Sequence, residues 1–153
     1  MKSIDIHAHM VPGSLWKAID SKQEWHGFRH EPGEGDGAMV GGGMKSQFTS
    51  PKLRFTVEQR IKDMDAQKVD VQVLSTHMPF VGYHLDPQKG LALAQDTNNE
   101  IAAVVKQNTK RFAGLATLPM QDVKLAIGEL ERAMTKLGMK GAALDTQVND
   151  DQF

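Results

Sequence analysis

Residues 56–76, TVEQRIKDMDAQKVDVQVLST, change their hydrophobic period partway along, and that change decides the fold class. Thr56 followed three residues later by Gln59 is a capping-box pattern, which predicts a helix starting at Val57. Val57, Ile61 and Met64 then fall on one helical face. From residue 69 the pattern becomes VDVQVLST, β-branched and apolar, which predicts a buried strand over 69–76.

The same alternation continues downstream. Asp86-Pro87 sets a cap and a first helical position, and Leu91, Ala94, Asn98, Ile101 and Val105 give that helix an inner stripe. RFAGLATLP (111–119) predicts a third strand. Asp122 caps a further helix whose apolar positions Val123, Ala126, Ile127, Leu130, Ala133, Met134 and Leu137 follow the 3.6 period, and Gly138 ends it. KGAALDT (140–146) predicts a fourth strand, followed only by QVNDDQF.

Upstream, SIDIHAHMVP (3–12) predicts the first strand, stopped by Pro12-Gly13. Residues 13–55 carry many glycines and little periodicity, and are expected to form a long functional or mobile loop. Within it MVGGGMK neither follows a strand nor opens a helix, so it is expected to be flexible rather than a phosphate-binding turn. The predicted order is β, long loop, α, β, α, β, α, β. Such alternation implies parallel strands with right-handed crossovers, as in a doubly wound sheet or a (β/α)8 barrel.

In an extended strand successive side chains alternate between faces, so Asp5, His7 and His9 are expected on one face and Ile4, Ile6 and Ala8 on the other. Two imidazoles on one face can converge on one ion, and imidazole is the commonest metal ligand. Catalytic zinc normally takes three protein ligands, so the pair by itself is incomplete. Chemistry in parallel α/β folds gathers at the C-terminal strand ends. There the sequence places Thr76 and His77 after the second strand, Gln121 after the third, and Asp145, Thr146, Gln147 and Asn149 after the fourth. His77 reads as a loop residue that shapes the rim, with a third ligand or a general base as the alternatives. Asp145 reads as a ligand or as a carboxylate bonded to a neighbouring loop.

The 153 residues have the length of one ordinary domain, expected to run over 1–153. The net charge of −1 offers no basic surface for nucleic acid or anionic membrane, and no apolar run is long enough for a membrane span. The chain has no cysteine, which excludes disulfides and thiolate ligands and is compatible with the cytoplasm, the expected location.

Taken together, IDIHAHMVP, RIKDMDAQKVDVQVLST, NNEIAAVV, KRFAGLATLPMQD and AIGELERAMTKLGMKGAALDTQVND resemble the amidohydrolase-related family, in its 2-amino-3-carboxymuconate 6-semialdehyde decarboxylase branch. The resemblance implies a metal-dependent (β/α)8 barrel with one divalent ion, usually zinc and sometimes manganese. It also implies a small aromatic or muconate-type carboxylic acid as substrate. The activity implied first is decarboxylation; a metal-dependent hydrolase of lactones or amides is the alternative, and a non-catalytic half-barrel fragment a second. The metal ligands carried over are His7 and His9. The family's further ligands, a histidine and an aspartate from later strands, and its later catalytic histidine have no position here. The sequence thus holds four strands of eight, the N-terminal half of a barrel of roughly 250 residues or more. Arg54 is the nearest match to the family's carboxylate-binding arginine, and His77, Phe80 and Tyr83 fall in its pocket-lining segment. Residues 27–48 are expected to close over substrate, with Lys45 or Arg54 meeting its carboxylate. Strand edges left open by half a barrel are expected to favour association, a homodimer included.

Overall fold

A computed structural model describes residues 2–48, 50–148 and 151–152. Its centre is a parallel sheet of β1 (Ile4–Met10), β5 (Val71–Thr76) and β6 (Phe112–Gly114), in the order β1-β5-β6. Helices α2 (Val57–Ala66), α3 (Pro87–Gln107) and α4 (Val123–Thr135) supply the crossovers. The expected caps are present. Thr56 and Gln59 exchange both capping-box bonds, Asp86 Oδ1 accepts from the Gln88 N–H, and Asp122 Oδ1 from the Leu125 N–H.

One face of the sheet packs on this helical layer. Ala8, Met10, Leu74 and Phe112 meet Met64, Ile101, Ala126, Ala133 and Met139 there. Paired residues of parallel strands point to the same side, so register assigns every sheet residue to a face. Ile4 pairs with Val71 and Asp5 with Gln72, but Ala8 pairs with Leu74 and His9 with Ser75. Three steps along β1 therefore match two along β5: a β-bulge lies between Asp5 and Ala8. It corrects the expected alternation. Asp5 shares the helical face with Gln72, Leu74 and Ala8, while His9 and Ser75 point to the opposite, concave face. Ile6, inside the bulge, is 76% exposed, and Ile4 is 56% exposed on the open edge.

The long loop expected over 13–55 is instead largely ordered. It holds α1 (Gly13–Asp20), an antiparallel meander of β2 (Arg29–Glu31), β3 (Ala38–Gly41) and β4 (Met44–Gln47), and a 3-10 turn at Pro51–Arg54. Its own core gathers Leu15, Trp16, Trp25, Phe28, Met39, Phe48 and Leu53 with Phe80 and Leu93. Gly42 and Gly43, at φ 57° and 77°, make the two-residue turn between β3 and β4. A Cβ on Gly42 would lie 2.1 Å from the His84 ring, so this glycine serves close packing rather than flexibility. Pro12 gives α1 no side-chain cap, and Glu100 from α3 takes that role by accepting from the Gly13 and Ser14 N–H groups.

The fourth strand is shorter than expected over 140–146. Only Ala116 and Ala142 form a parallel bridge, with Lys140 N–H to Gly114, Ala116 N–H to Gly141 and Ala143 N–H to Ala116 continuing the sheet direction. A two-residue hairpin, β7 (Gln147–Val148) with β8 (Asp151–Gln152), follows; Asn149 lies outside the described residues. In α4 the stripe is also narrower than its period suggests. Ala126 and Ala133 are buried, but Val123, Ile127 and Met134 face solvent.

These uncovered residues, with the open β1 edge, should make the isolated chain associate. Sedimentation velocity is expected to show species larger than a monomer, reduced by Ile6→Lys and Ile127→Lys. A concentration-independent monomer would contradict this.

Candidate metal centre

The bulge and the C-terminal end of β1 bring two imidazoles together on the concave face. His7 Nε2 and His9 Nε2 lie 3.1 Å apart, with the rings nearly perpendicular and their centroids separated by 4.7 Å. At that distance an Nε2–H of one ring donates to the other nitrogen, and with both protons on Nδ1 the two lone pairs are free to share a cation. Nitrogens each about 2.0–2.1 Å from one ion would stand 3.1 Å apart at an N–metal–N angle of about 100°, near tetrahedral. The donor set therefore fits a divalent ion.

The second nitrogen of His9 is also engaged. His9 Nδ1 lies 3.0 Å from Ser75 Oγ, so a proton on Nδ1 leaves the Nε2 lone pair free to coordinate. Burial, and then the neighbouring His7, hold the His9 pKa below its usual value, a direction that favours the neutral ring a metal requires. Among the described residues no group of three or more His, Asp or Glu side chains could hold a metal. The pair offers two ligands.

His77, at the end of β5, brings its ring to 5.8 Å from that of His9, and its N–H donates to the Met10 carbonyl. Burial, followed by His9, lowers its pKa as well. The other expected site residues divide. Tyr83 lines a cleft of about 740 Å³ between the β3–β4 hairpin, residues 78–84, and Asp145 and Gln147. Neither His7 nor His9 lines that cleft. Phe80, expected as a pocket wall, is completely buried among Trp25, Phe28, Phe48 and His77 and presents no surface. Arg54 stacks over Trp16 at 5.0 Å and pairs with Asp20 at 2.9 Å and Asp36 at 3.6 Å. Lys45 pairs with Glu31 at 2.7 Å. A substrate carboxylate would have to displace these acids. The expectation that residues 27–48 form a mobile cover gives way to an ordered meander on a packed aromatic core.

The sequence reading missed Ser75, since only the register of β1 on β5 places it behind His9. The signal was weak: a hydroxyl next to the end of an apolar strand.

Parallel β/α barrels gather their functional side chains at the C-terminal strand ends, where this sheet carries its paired imidazoles. The amidohydrolase family model matches residues 4–153, and the chain belongs to that family. A relative is the 2-amino-3-carboxymuconate-6-semialdehyde decarboxylase of Dictyostelium discoideum, 36% identical over 149 residues, covering 95% of this chain and 41% of that protein. Among solved structures, 5-carboxyvanillate decarboxylase from Sphingomonas paucimobilis superposes with a TM-score of 0.72 at 24% identity, over 97% of this chain and 44% of that one. The dihydroxybenzoic acid decarboxylase from Polaromonas sp. JS666, solved with bound manganese and 2-nitroresorcinol, superposes with a TM-score of 0.59 at 24% identity, over 93% and 38%. The chain thus spans about two fifths of the length of these proteins, and its fold is the N-terminal portion of a (β/α)8 barrel. No helix among the described residues is long and apolar enough to cross a membrane.

Proposed function

We propose that this chain supplies the first two metal ligands, His7 and His9, of a divalent-metal-dependent decarboxylase acting on a small aromatic or muconate-type carboxylic acid. The observation that carries the reading is the 3.1 Å convergence of the two Nε2 atoms, with Ser75 set behind His9. The names of the relatives, decarboxylases of such acids, support the reaction class. The manganese-bound relative supports a divalent ion, and the imidazole ligands suit zinc better than manganese, so zinc is the alternative.

When bound, the ion supplies positive charge that orients and polarises substrate oxygens. The chain's own groups do the rest of the work on this side of the barrel. His7 and His9 would hold the ion, and Ser75 Oγ would accept from His9 Nδ1–H in the tautomer that leaves Nε2 free to coordinate. His77, held neutral by burial, faces the same space and is assigned to contact substrate. Tyr83 is assigned to the outer wall. Arg54 keeps Trp16, Asp20 and Asp36 together. The reaction replaces the ring carboxylate by a proton: the carbon takes up H⁺, its bond to the carboxylate breaks, and carbon dioxide leaves. Two imidazoles are fewer than the three protein ligands a catalytic ion takes, and the described residues offer no third, so the chain alone is expected to bind metal without turning over.

The test is a carbon dioxide release assay on a protein that contains this chain with the rest of its barrel. A panel of hydroxybenzoates and muconate-type acids, with manganese and with zinc, should give metal-dependent decarboxylation of at least one. Hydrolysis of lactones or amides without any decarboxylation would contradict the proposal.

A further inference from the structure

Behind the histidine strand lies a buried cation that metal binding does not itself use. Arg60, from α2, is 7% exposed, and among the described residues no carboxylate lies within ion-pair distance of it. Its partners are neutral. The Nη2 group donates to the His9 carbonyl at 3.2 Å and to the Lys52 carbonyl at 3.3 Å, and Nη1–H donates to Gln72 Oε1 at 3.3 Å. Gln72 Nε2–H in turn donates to Asp5 Oδ2 at 3.1 Å, and Asp5 Oδ1 accepts the His7 N–H at 3.0 Å.

The chain of bonds closes on the bulge from both sides. At one end the Asp5 carboxylate grips the backbone of His7; at the other the guanidinium grips the backbone of His9. Burying a guanidinium without a close carboxylate is costly, and an apolar side chain of similar size would hold α2 against the sheet at lower cost. What an apolar residue could not do is fix the bulge in one geometry. A bulge re-aims side chains, and here the two re-aimed side chains are the converging imidazoles.

We propose that Arg60, acting through Gln72 and Asp5, is a positioning residue that sets the spacing of His7 and His9 for the ion. The inference rests on the metal reading above. Its test is the affinity of the full 153-residue chain for Zn²⁺, measured by competition with a chromophoric chelator. Imidazole 15N spectra of the metal-free protein are recorded alongside, for wild type, Arg60→Met, Arg60→Lys, Asp5→Asn and Ile101→Val.

Arg60→Met should weaken binding by about 10–100-fold, the range for groups that orient metal ligands, and shift the Nε2 resonances of His7 and His9. Arg60→Lys should recover part of the loss, since an ammonium reaches a carbonyl but cannot span the fork. Ile101→Val, a purely packing change, should lower stability and leave affinity unchanged. If Arg60→Met does not fold, Asp5→Asn decides. It keeps the shape but presents one donor where Asp5 now accepts twice, so it should weaken binding and move the same resonances. A folded Arg60→Met, or in its place Asp5→Asn, with affinity within twofold of wild type and unchanged histidine spectra would overturn the proposal. If wild type binds no zinc, the metal reading fails, and the metal-free histidine spectra alone decide whether Arg60 sets the pair.

Discussion

Replacing His9 with Ala is expected to weaken divalent-metal binding by more than about 100-fold, beyond the usual range for residues that only orient a ligand. On the proposed function, it should also reduce decarboxylation by a protein containing this chain to background. The reason is geometric. The ion needs both nitrogens, and His9 is the better anchored of the two, with Ser75 on Nδ1 and Arg60 on its carbonyl. His7→Ala should have a comparable effect. Ser75→Ala removes only the partner of Nδ1 and should cost roughly tenfold. Inductively coupled plasma measurement of metal content, with turnover on the same samples, checks the series. A His9→Ala protein that retains one equivalent of metal would remove His9 from the site.

The second large effect concerns stability, and it arises far from the histidines. Asn98, buried in α3, accepts the Thr117 N–H at 2.8 Å through Oδ1. Through Nδ2 it donates to the Thr117 carbonyl at 2.9 Å and to Glu129 Oε1 at 2.7 Å. Glu129, fully buried in α4, is also clamped by both Arg132 Nε and Nη2. This arrangement ties α3, α4 and the segment after β6 together. Truncating Asn98 to Ala leaves a backbone N–H and a backbone carbonyl unpaired, and takes from Glu129 Oε1 one of its two donors. Each buried group left unpaired costs about 1–3 kcal/mol, so Asn98→Ala is expected to destabilise by about 3–5 kcal/mol. Glu129→Gln keeps the shape and the acceptor for Asn98, and should cost less. Urea unfolding followed by circular dichroism reads both. Equal, small shifts in the midpoint would show that the network contributes little.

The helical half of the fold was legible because its signals are local. Thr56, Asp86 and Asp122 are caps within three residues of the N–H groups they accept from, and the apolar spacing after each follows directly. Asn98 was legible as an inward position but not as a bonded one, since its partners lie 19 and 31 residues away. The meander failed for the same reason. Its strands have three or four residues, too short for alternation to register, and they are held by Trp25, Phe28 and Phe48 packing on Phe80 from another part of the chain. Gly42 and Gly43 looked like flexibility and proved to be a turn.

For the site, the H-x-H spacing was enough to mark the pair, yet the assumed alternation put Asp5 beside it. A bulge is a property of two strands together, and no reading of β1 alone could place it. The exposed stripe on α4 is similar. Periodicity shows which residues share a face, not whether anything covers them.

The central claim is that His7 and His9 together hold one divalent ion. It is tested most directly by titrating Zn²⁺, and separately Mn²⁺, into the histidine-15N-labelled chain, with stoichiometry from equilibrium dialysis. Zn²⁺ reports on the imidazoles by chemical shift and Mn²⁺ by paramagnetic broadening. The account predicts one equivalent at saturation, with the Nε2 resonances of His7 and His9 responding together while those of His26 and His30 stay in place. Saturation that leaves the His7 and His9 resonances unmoved, or no binding at all, would contradict it.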